Sequence, residues 1–198
     1  MERDALVNEL AAMIAAIRTA HPVRVAIDGV DGAGKTTLAD ELTEPLRKLG
    51  RQVIRASVDG FLNPASVRYR RGRMSPRGYF VDSLNYNALR VNLLDPLGPS
   101  GSRKYRTKVF DHRTDAEVVV PPATAAVDDV LICDGVFLQC RELRDCWDFV
   151  VWLEASFEIT VSRAAARDSS GSDNRGTAFQ AVAERYAKRY VPGQEMYL

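Results

Sequence analysis

The amino-acid sequence predicts an α/β fold in which a mainly parallel sheet is flanked by helices. Short apolar runs of strand length alternate along the chain with stretches whose apolar residues recur at helical spacing. Strands separated by helices are typical of parallel sheets, because each crossover places a helix on one face of the sheet. The 198 residues suit a single domain spanning 1–198, and neither an internal repeat nor a linker divides them.

The elements of the first half alternate regularly. Residues 4–20 have the apolar spacing of an amphipathic helix, and the apolar run from Val23 to Ile27 follows as a buried strand. A second helix begins near Lys35, carries leucines on one face and ends at Gly50, a residue typical of helix ends. The run from Gln52 to Val58 is then a second strand.

The second half of the chain begins irregularly and then alternates again. Its first part contains one predicted helix, with Ser83 as the N-cap. The further predicted elements are a short strand at Val118 to Val120, core strands at Val130 to Cys133 and Phe149 to Leu153, and helices at Ser156 to Arg167 and at about 177–190.

Composition and charge exclude several classes of protein. The 27 Lys and Arg residues against 26 Asp and Glu leave a net charge of +1, so nucleic acid is not an expected partner. No apolar run approaches the roughly 20 residues that span a bilayer, so no membrane association is expected. Three cysteines with no Cys-x-x-Cys pair indicate neither a disulfide framework nor a zinc site, and a reducing cytoplasm is the expected location.

A phosphate-binding loop follows the first predicted strand. The stretch Gly29-Val30-Asp31-Gly32-Ala33-Gly34-Lys35-Thr36 fits G-x-x-x-x-G-K-[ST] between a strand and a helix. In such a loop, backbone N–H groups converge on phosphate oxygens, Lys35 neutralises the β- and γ-phosphates, and Thr36 can ligate Mg²⁺. The alternative is a glycine turn with no ligand. The candidate nucleotide-binding residues are Gly29, Asp31, Gly32, Ala33, Gly34, Lys35, Thr36 and Thr37.

Carboxylates follow two further predicted strands. Asp59 comes directly after the second strand, and Asp134 comes after the strand that ends at Cys133. Because parallel strands end at one sheet edge, both carboxylates are expected beside the phosphate-binding loop. Asp59 is placed to deprotonate an attacking hydroxyl, or is a simple turn residue. Asp134 resembles a Walker B carboxylate, which holds Mg²⁺ directly or through water.

Several motifs together resemble the uridine kinase and phosphoribulokinase group of small-molecule kinases. The resemblance covers most of the chain. Its motifs are the phosphate-binding loop, Val58-Asp59-Gly60-Phe61, Asp82-Ser83-Leu84-Asn85, Phe110-Asp111-His112-Arg113, Asp134-Gly135 and the Arg163 to Arg175 region. The phosphate-binding loop also resembles that of thymidylate kinases, but no Asp-Arg-Tyr motif follows a central strand, so this second family ranks lower.

The resemblance implies a P-loop NTPase fold and acceptor-site roles for five residues. Asp59 is implied to be the general base, and Phe61 of the same motif lies at the acceptor site. Asp82 is implied to hold a pair of ribose hydroxyls. Tyr105 and His112 are implied to recognise the base or the sugar, although they stand seven residues apart where the family has five. His112 could equally be a structural hydrogen-bonding residue.

The resemblance also implies a small lid and an acceptor-recognition insert. Arg167 and Arg175 would close on the transferring phosphate from a lid at about 168–176. The insert would cover about 60–115. The chain departs from the family in carrying Asp134 where nucleoside kinases often have Glu, and in stopping before a further strand that the family usually has.

Two basic segments stand out against the balanced total. Residues 68–77 hold five arginines and no acid, and residues 103–113 hold five Lys and Arg against Asp111. These segments could overlie the site and complement a triphosphate or an anionic acceptor. They could instead be solvated loops paired with acids elsewhere, or a platform for single-stranded RNA.

The sequence therefore predicts an ATP- and Mg²⁺-dependent kinase that phosphorylates a hydroxyl of a small metabolite. The 5′-hydroxyl of uridine or cytidine is the first expectation for the acceptor. The alternatives are a pantothenate-like or nicotinamide-riboside-like alcohol, a sugar phosphate, or a nucleotide-binding regulatory module or RNA-associated NTPase without an acceptor. The resemblance also implies a homo-oligomer, since nucleoside kinases of this group often form one.

Overall fold

The computed structural model describes residues 2–169 and 175–198 and contains a four-stranded parallel sheet. The strands are β1 (Val23–Gly29), β2 (Val53–Ser57), β3 (Lys104–Tyr105), β4 (Phe110–Asp111), β5 (Ala116–Glu117), β6 (Ala123–Thr124), β7 (Val130–Asp134) and β8 (Phe149–Leu153). The central sheet has the order β2-β7-β1-β8, and the two remaining pairs, β3 with β6 and β4 with β5, are short antiparallel ribbons.

Helices connect these strands. They are α1 (Arg3–Ala16), α2 (Lys35–Glu41), α3 (Thr43–Lys48), α4 (Ala65–Arg68), α5 (Pro76–Asp82), α6 (Tyr86–Leu89), α7 (Phe157–Ser169), α8 (Arg175–Arg185) and α9 (Val191–Glu195). Two π-helical turns, Arg90–Leu94 and Tyr186–Tyr190, continue α6 and α8. Within the described ranges, no helix is long and apolar enough to cross a membrane.

The two central strands of the sheet are buried on both faces, as the sequence predicts, whereas β8, predicted as a core strand, is an edge strand with Val150 and Trp152 exposed. Every residue of β1 and β7 is buried, which explains why both strands are nearly continuous apolar runs. On one face α1, α2 and α3 pack against Val25, Ile27 and Ile132. On the other face the insert and the segment after β7 pack against Ala26 and Leu131. The predicted α/β class with a mainly parallel sheet is confirmed.

Helix α1 ends four residues earlier than the sequence predicts. Ile17 is already extended, with ψ of 131°. The guanidinium of Arg51 donates from Nη1 to the carbonyl oxygens of Ala15 and Ile17, both at 3.2 Å. A basic side chain from beyond α3 therefore satisfies carbonyl groups that the helix end leaves without intrahelical donors.

The helix predicted from Lys35 to Gly50 is divided into α2 and α3. Pro45 lies in the first turn of α3 and has no N–H to donate to the carbonyl of Glu41, so the helical hydrogen-bond ladder is interrupted there. Leu49, just after α3, is half exposed, whereas Leu38, Leu42 and Leu46 are buried. The predicted stop is confirmed by Gly50, whose φ is +81°.

Two predictions for the middle of the chain are wrong. Ser83 follows the end of α5, and the N-cap of α6 is Asn85, whose side chain accepts a hydrogen bond from the backbone N–H of Ala88 at 2.9 Å. The run Val118 to Val120 is not a strand, and Val119 is 96 % exposed. The apolar composition of that run reflects neither burial nor sheet pairing.

Candidate active site

One cavity of about 830 Å³ lies beyond the carboxyl ends of β1, β2 and β7. Parallel strands that end at one edge bring together the loops that follow them, which is where ligands bind in open α/β sheets. The cavity is lined by the loop after β1, the turn after β2, the end of β7, the insert, α7 and the π-helical turn before α9.

The loop after β1 has the conformation of a phosphate-binding loop. Gly32 has φ of +78°, and a Cβ atom there would lie 2.6 Å from the carbonyl oxygen of Thr160 in α7. Gly34 is also left-handed and precedes Lys35, the first residue of α2. Asp31, Gly32, Gly34, Lys35, Thr36 and Thr37 all line the cavity, so the structure brings together most of the predicted nucleotide-binding residues.

The side chain of Lys35 is buried and folded back onto its own loop. Its Nζ donates to the carbonyl oxygens of Gly29 at 2.9 Å and Val30 at 2.7 Å. Burial lowers the pKa of this ammonium group, and the nearby carboxylates of Asp31 and Asp28 oppose the decrease. An ammonium held by neutral carbonyls is suited to bind a phosphate anion, since such an anion supplies the full negative charge that the carbonyls lack.

Thr36 and Asp134 form the predicted pair of oxygen donors. The hydroxyl of Thr36 donates to Oδ2 of Asp134 at 2.7 Å, and Oδ1 of Asp134 accepts from Nη2 of Arg55 at 3.0 Å. Oxygen donors of this kind are the ligands that Mg²⁺ prefers, and Mg²⁺ sites beside phosphates use few protein ligands. Within the described residues, no group of three or more His, Cys, Asp and Glu side chains is arranged to hold a metal. The two residues therefore fit Mg²⁺ held jointly with a nucleotide.

Asp59 lies in the 3₁₀ turn directly after β2 and faces the cavity. Its carboxylate is accessible from the cavity, but the surrounding protein excludes enough water to raise the pKa of this carboxyl. His112 lowers this pKa, whereas the carboxylates of Asp31 and Asp134 raise it further. A carboxylate with raised proton affinity beside a phosphate site is suited to general-base catalysis.

The structure brings together some predicted acceptor residues and separates others. His112 and Asp59 line the same cavity. Phe61 is 1 % exposed and belongs to the hydrophobic core, and Tyr105 packs beside that core in β3. The carboxylate of Asp82 is bound by Arg70 and, at 2.9 Å, by Nε of Arg71, while the neighbouring Ser83 and Leu84 line the cavity. Phe61, Asp82 and Tyr105 are not among the lining residues.

The predicted lid falls partly outside the described residues. Helix α7 ends at Ser169 and α8 begins at Arg175, so residues 170–174 and the side chains of Arg167 and Arg175 lie outside what the structure describes. Arg163, one helical turn before Arg167, lines the cavity.

The carboxyl-terminal segment contributes contacts that sequence reasoning missed. Oε1 of Gln194 accepts a hydrogen bond from the backbone N–H of Asp31 at 2.6 Å. The hydroxyl of Tyr197 donates to Oδ2 of Asp28, and the hydroxyl of Tyr79 donates to Oδ2 of Asp31 at 2.7 Å. Contacts between residues 48 to 169 positions apart leave no periodic signal in the sequence.

The basic segments divide between the cavity and the surface. Arg68 lines the cavity and pairs with Asp115 at 3.2 Å, and Arg189 from the π-helical turn also lines it. Arg68, Arg73 and Arg189 each lie about 5 Å from the ring centre of Tyr69. Arg68 and Arg189 form a cationic wall of the cavity, and the arginine-rich composition of residues 68–77 is the sequence signal for the Arg68 part of it. The Lys and Arg residues of the second segment are not among the lining residues and make contacts such as that of Lys108 with Asp111 at 2.8 Å.

Comparisons with known proteins agree with this geometry. A "Uridine kinase" from Leuconostoc citreum is 27 % identical over 174 residues, which cover 86 % of this chain and 79 % of that protein. A "Pantothenate kinase" from Corynebacterium glutamicum is 30 % identical over 146 residues, covering 71 % of this chain and 44 % of that protein. A solved structure described as a "Possible Uridine Kinase" from Bacillus stearothermophilus has a TM-score of 0.75 and 25 % identity, covering 100 % of this chain and 92 % of that one.

The family model of the phosphoribulokinase / uridine kinase family matches residues 24–198, which is nearly the whole chain. The match spans the phosphate-binding loop, Asp59 and Asp134, which the fold places around one cavity. Members of this family are ATP-dependent kinases that phosphorylate hydroxyl groups. The chain belongs to the phosphoribulokinase / uridine kinase family of P-loop kinases.

Proposed function

We propose that this chain transfers the γ-phosphoryl group of ATP, with Mg²⁺, to the 5′-hydroxyl of a pyrimidine nucleoside such as uridine or cytidine. The observation that carries the proposal is the position of Asp59, which faces the same cavity as Lys35 and the Thr36–Asp134 pair. This arrangement provides a base for a hydroxyl and donors for phosphate and Mg²⁺ in one volume. The uridine kinase relatives support a nucleoside as the acceptor.

Different residues of the cavity would perform different parts of the phosphoryl transfer. Asp59 takes the proton of the acceptor hydroxyl as its oxygen bonds to the γ-phosphorus, and the bond from that phosphorus to the β–γ bridging oxygen breaks, which releases ADP. Lys35 and the loop amides stabilise the charge on the transferring group, where most phosphoryl-transfer catalysis resides. Thr36 and Asp134 would hold Mg²⁺, which supplies further neutralisation of phosphate charge. We also infer that Arg167 and Arg175 close over the phosphate.

Asp59→Asn tests the assigned base. The variant keeps the size of the side chain but cannot accept the proton, so we expect kcat to fall about 10²- to 10⁴-fold with ATP affinity retained. Asp145→Asn is the matched control, because Asp145 is 90 % exposed and lies outside the cavity lining. Near-normal turnover in Asp59→Asn would remove Asp59 from this role.

A second candidate is transfer to another small alcohol, such as a pantothenate-like compound, a nicotinamide-riboside-like compound or a sugar phosphate. Among these, the pantothenate kinase relative and the cationic wall of Arg68 and Arg189 favour an acidic acceptor, which is a pantothenate-like compound or a sugar phosphate. Acceptor-dependent ADP release over nucleosides, vitamins and sugar phosphates distinguishes these candidates. ATP binding without phosphorylation of any acceptor would indicate a nucleotide-binding regulatory module.

A further inference from the structure

Asp31 places a carboxylate in the phosphate-binding loop, where its negative charge would repel a nucleotide phosphate. Its backbone N–H is also unavailable to phosphate, since it donates to Oε1 of Gln194 at 2.6 Å. Gln194 is itself 2 % exposed and fixed by a hydrogen bond from its Nε2 to the carbonyl oxygen of Tyr190 at 3.0 Å. The amide of Asp31 is therefore engaged, and its negatively charged carboxylate is a poor partner for a nucleotide phosphate.

The carboxylate of Asp31 is fixed to the insert. The hydroxyl of Tyr79, in α5, donates to Oδ2 at 2.7 Å. The Tyr79 ring is held by edge-to-face contacts with Phe137 and Tyr190 at centroid distances of 5.2 and 4.7 Å. Within the part of the chain that the structure describes, Oδ1 of Asp31 accepts no hydrogen bond, and the residue lines the cavity.

Charge and hydrogen bonding distinguish Asp31 from the other carboxylates of the site. The described residues that line the cavity include three carboxylates, those of Asp31, Asp59 and Asp134. Asp134 is engaged by Thr36 and Arg55, and Asp59 is the assigned base. Asp82, implied by resemblance to bind ribose hydroxyls, is neutralised by Arg70 and Arg71 outside the cavity lining. Asp31 is therefore the lining carboxylate with an oxygen, Oδ1, that can accept a hydrogen bond from a second hydroxyl of the acceptor.

We propose that Asp31 determines acceptor specificity by accepting a hydrogen bond from a second hydroxyl of a neutral, polyhydroxylated acceptor such as the ribose of a nucleoside. The proposal rests on the proposed transfer to a hydroxyl activated by Asp59. One hydroxyl would donate to Asp59 and react, while the other would donate to Oδ1 of Asp31 and orient the sugar. A site that hydrogen-bonds a substrate hydroxyl rejects the analogue lacking it, because its own polar group is left unpaired.

The test compares uridine with 2′-deoxyuridine and 3′-deoxyuridine at saturating ATP. The parent enzyme should prefer uridine over at least one analogue by about 10- to 100-fold in kcat/KM, the range of a charge-assisted hydrogen bond. Asp31→Ala should reduce this preference to below about 3-fold, because uridine should be slowed much more than that analogue. The KM for ATP should stay the same or fall, because a negative charge beside the phosphates has been removed.

Two further variants separate recognition from folding. Asp31→Asn still accepts the hydrogen bond of Tyr79 but loses the charge, so it should fold like the parent and still lose most of the preference. Tyr79→Phe leaves the Asp31 carboxylate in place but removes the hydrogen bond from the Tyr79 hydroxyl that orients it. The preference for uridine should therefore decline less than in Asp31→Ala. Unchanged discrimination in both Asp31 variants, or an equal loss on uridine and both analogues, would overturn the proposal.

The outcomes also separate this proposal from the proposed function. Phosphorylation of uridine by the parent, with discrimination that survives in Asp31→Ala, overturns the role of Asp31 alone. Failure of the parent to phosphorylate any nucleoside overturns both. A rise in the KM for ATP in Asp31→Asn, without a change in acceptor preference, would assign Asp31 to the nucleotide instead.

Discussion

Arg55 is expected to hold the carboxylate of Asp134 in place, and its removal should weaken the fold measurably. Its guanidinium donates to Oδ1 of Asp134 at 3.0 Å and to the carbonyl oxygen of Ile132 at 2.9 Å. The side chain of Asp134 is 4 % exposed. In the described part of the chain, Arg55→Met would leave this buried carboxylate with the hydroxyl of Thr36 as its side-chain partner.

The size of the effect follows from burial. Removing one member of a fully buried ion pair costs about 3–5 kcal/mol. The side chain of Arg55 is 25 % exposed, so water partly compensates the carboxylate in the variant. We therefore expect the free energy of unfolding to fall by about 2–3 kcal/mol. At roughly 2–4 °C per kcal/mol for a domain of this size, Tm would fall by about 4–12 °C.

Urea unfolding of the parent, Arg55→Met, Asp134→Asn and the double variant measures the coupling of the two side chains. Asp40→Asn is the matched control, because Asp40 contacts the same guanidinium at 3.0 Å but is 66 % exposed. Its substitution should cost less than about 0.5 kcal/mol. A loss of unfolding free energy in Arg55→Met that is no larger than in Asp40→Asn would refute the expected coupling. The same holds if Arg55→Met loses as much in the Asp134→Asn background as in the parent.

Three further outcomes are expected. Asp59→Asn should raise Tm slightly at pH 7, because desolvation at the cavity raises the pKa of the Asp59 carboxyl while solvent access limits the effect. The gain should vanish as pH falls toward about 4, and a pH-independent gain contradicts this. Gln194→Ala should weaken ATP binding about 5- to 10-fold by freeing the loop at Asp31, and an unchanged Kd in calorimetry contradicts it. Gly135→Ala should lower Tm and kcat together, because its Cβ would lie 2.2 Å from Cγ2 of Val58. Adding Val58→Ala should restore both in part, since Cβ of residue 58 would still lie 2.9 Å away, and no restoration at all contradicts this.

The elements that bind nucleotide could be predicted from the sequence because their signals are local. The phosphate-binding loop is a contiguous pattern, and Asp59 and Asp134 each follow an apolar run that could be identified as a strand. The topology then places the three at one edge without further information, since parallel strands share the direction in which they end. The hydrogen-bonded pair of Thr36 and Asp134, 98 positions apart, follows from that rule.

The acceptor side could not be predicted in the same way. Tyr79 and Gln194 reach Asp31 from distant parts of the chain, and neither lies in a pattern that marks it as polar and buried. The opposite error occurs at Val118 to Val120, where an apolar run predicts a strand although Val119 is fully exposed. An apolar composition indicates that a segment could be buried, but whether it is buried depends on the parts of the chain that pack against it.

Strand β1 bears the phosphate-binding loop, yet the paired residues of its sheet neighbours β7 and β8 are synthesised 107 and 124 residues later. Pairing over such a separation requires closure of a long loop before any contact compensates for the lost entropy. During translation the nucleotide site therefore assembles only after most of the chain has left the ribosome. Retention on immobilised nucleotide would consequently report completed folding of the chain, and not the presence of its amino-terminal third.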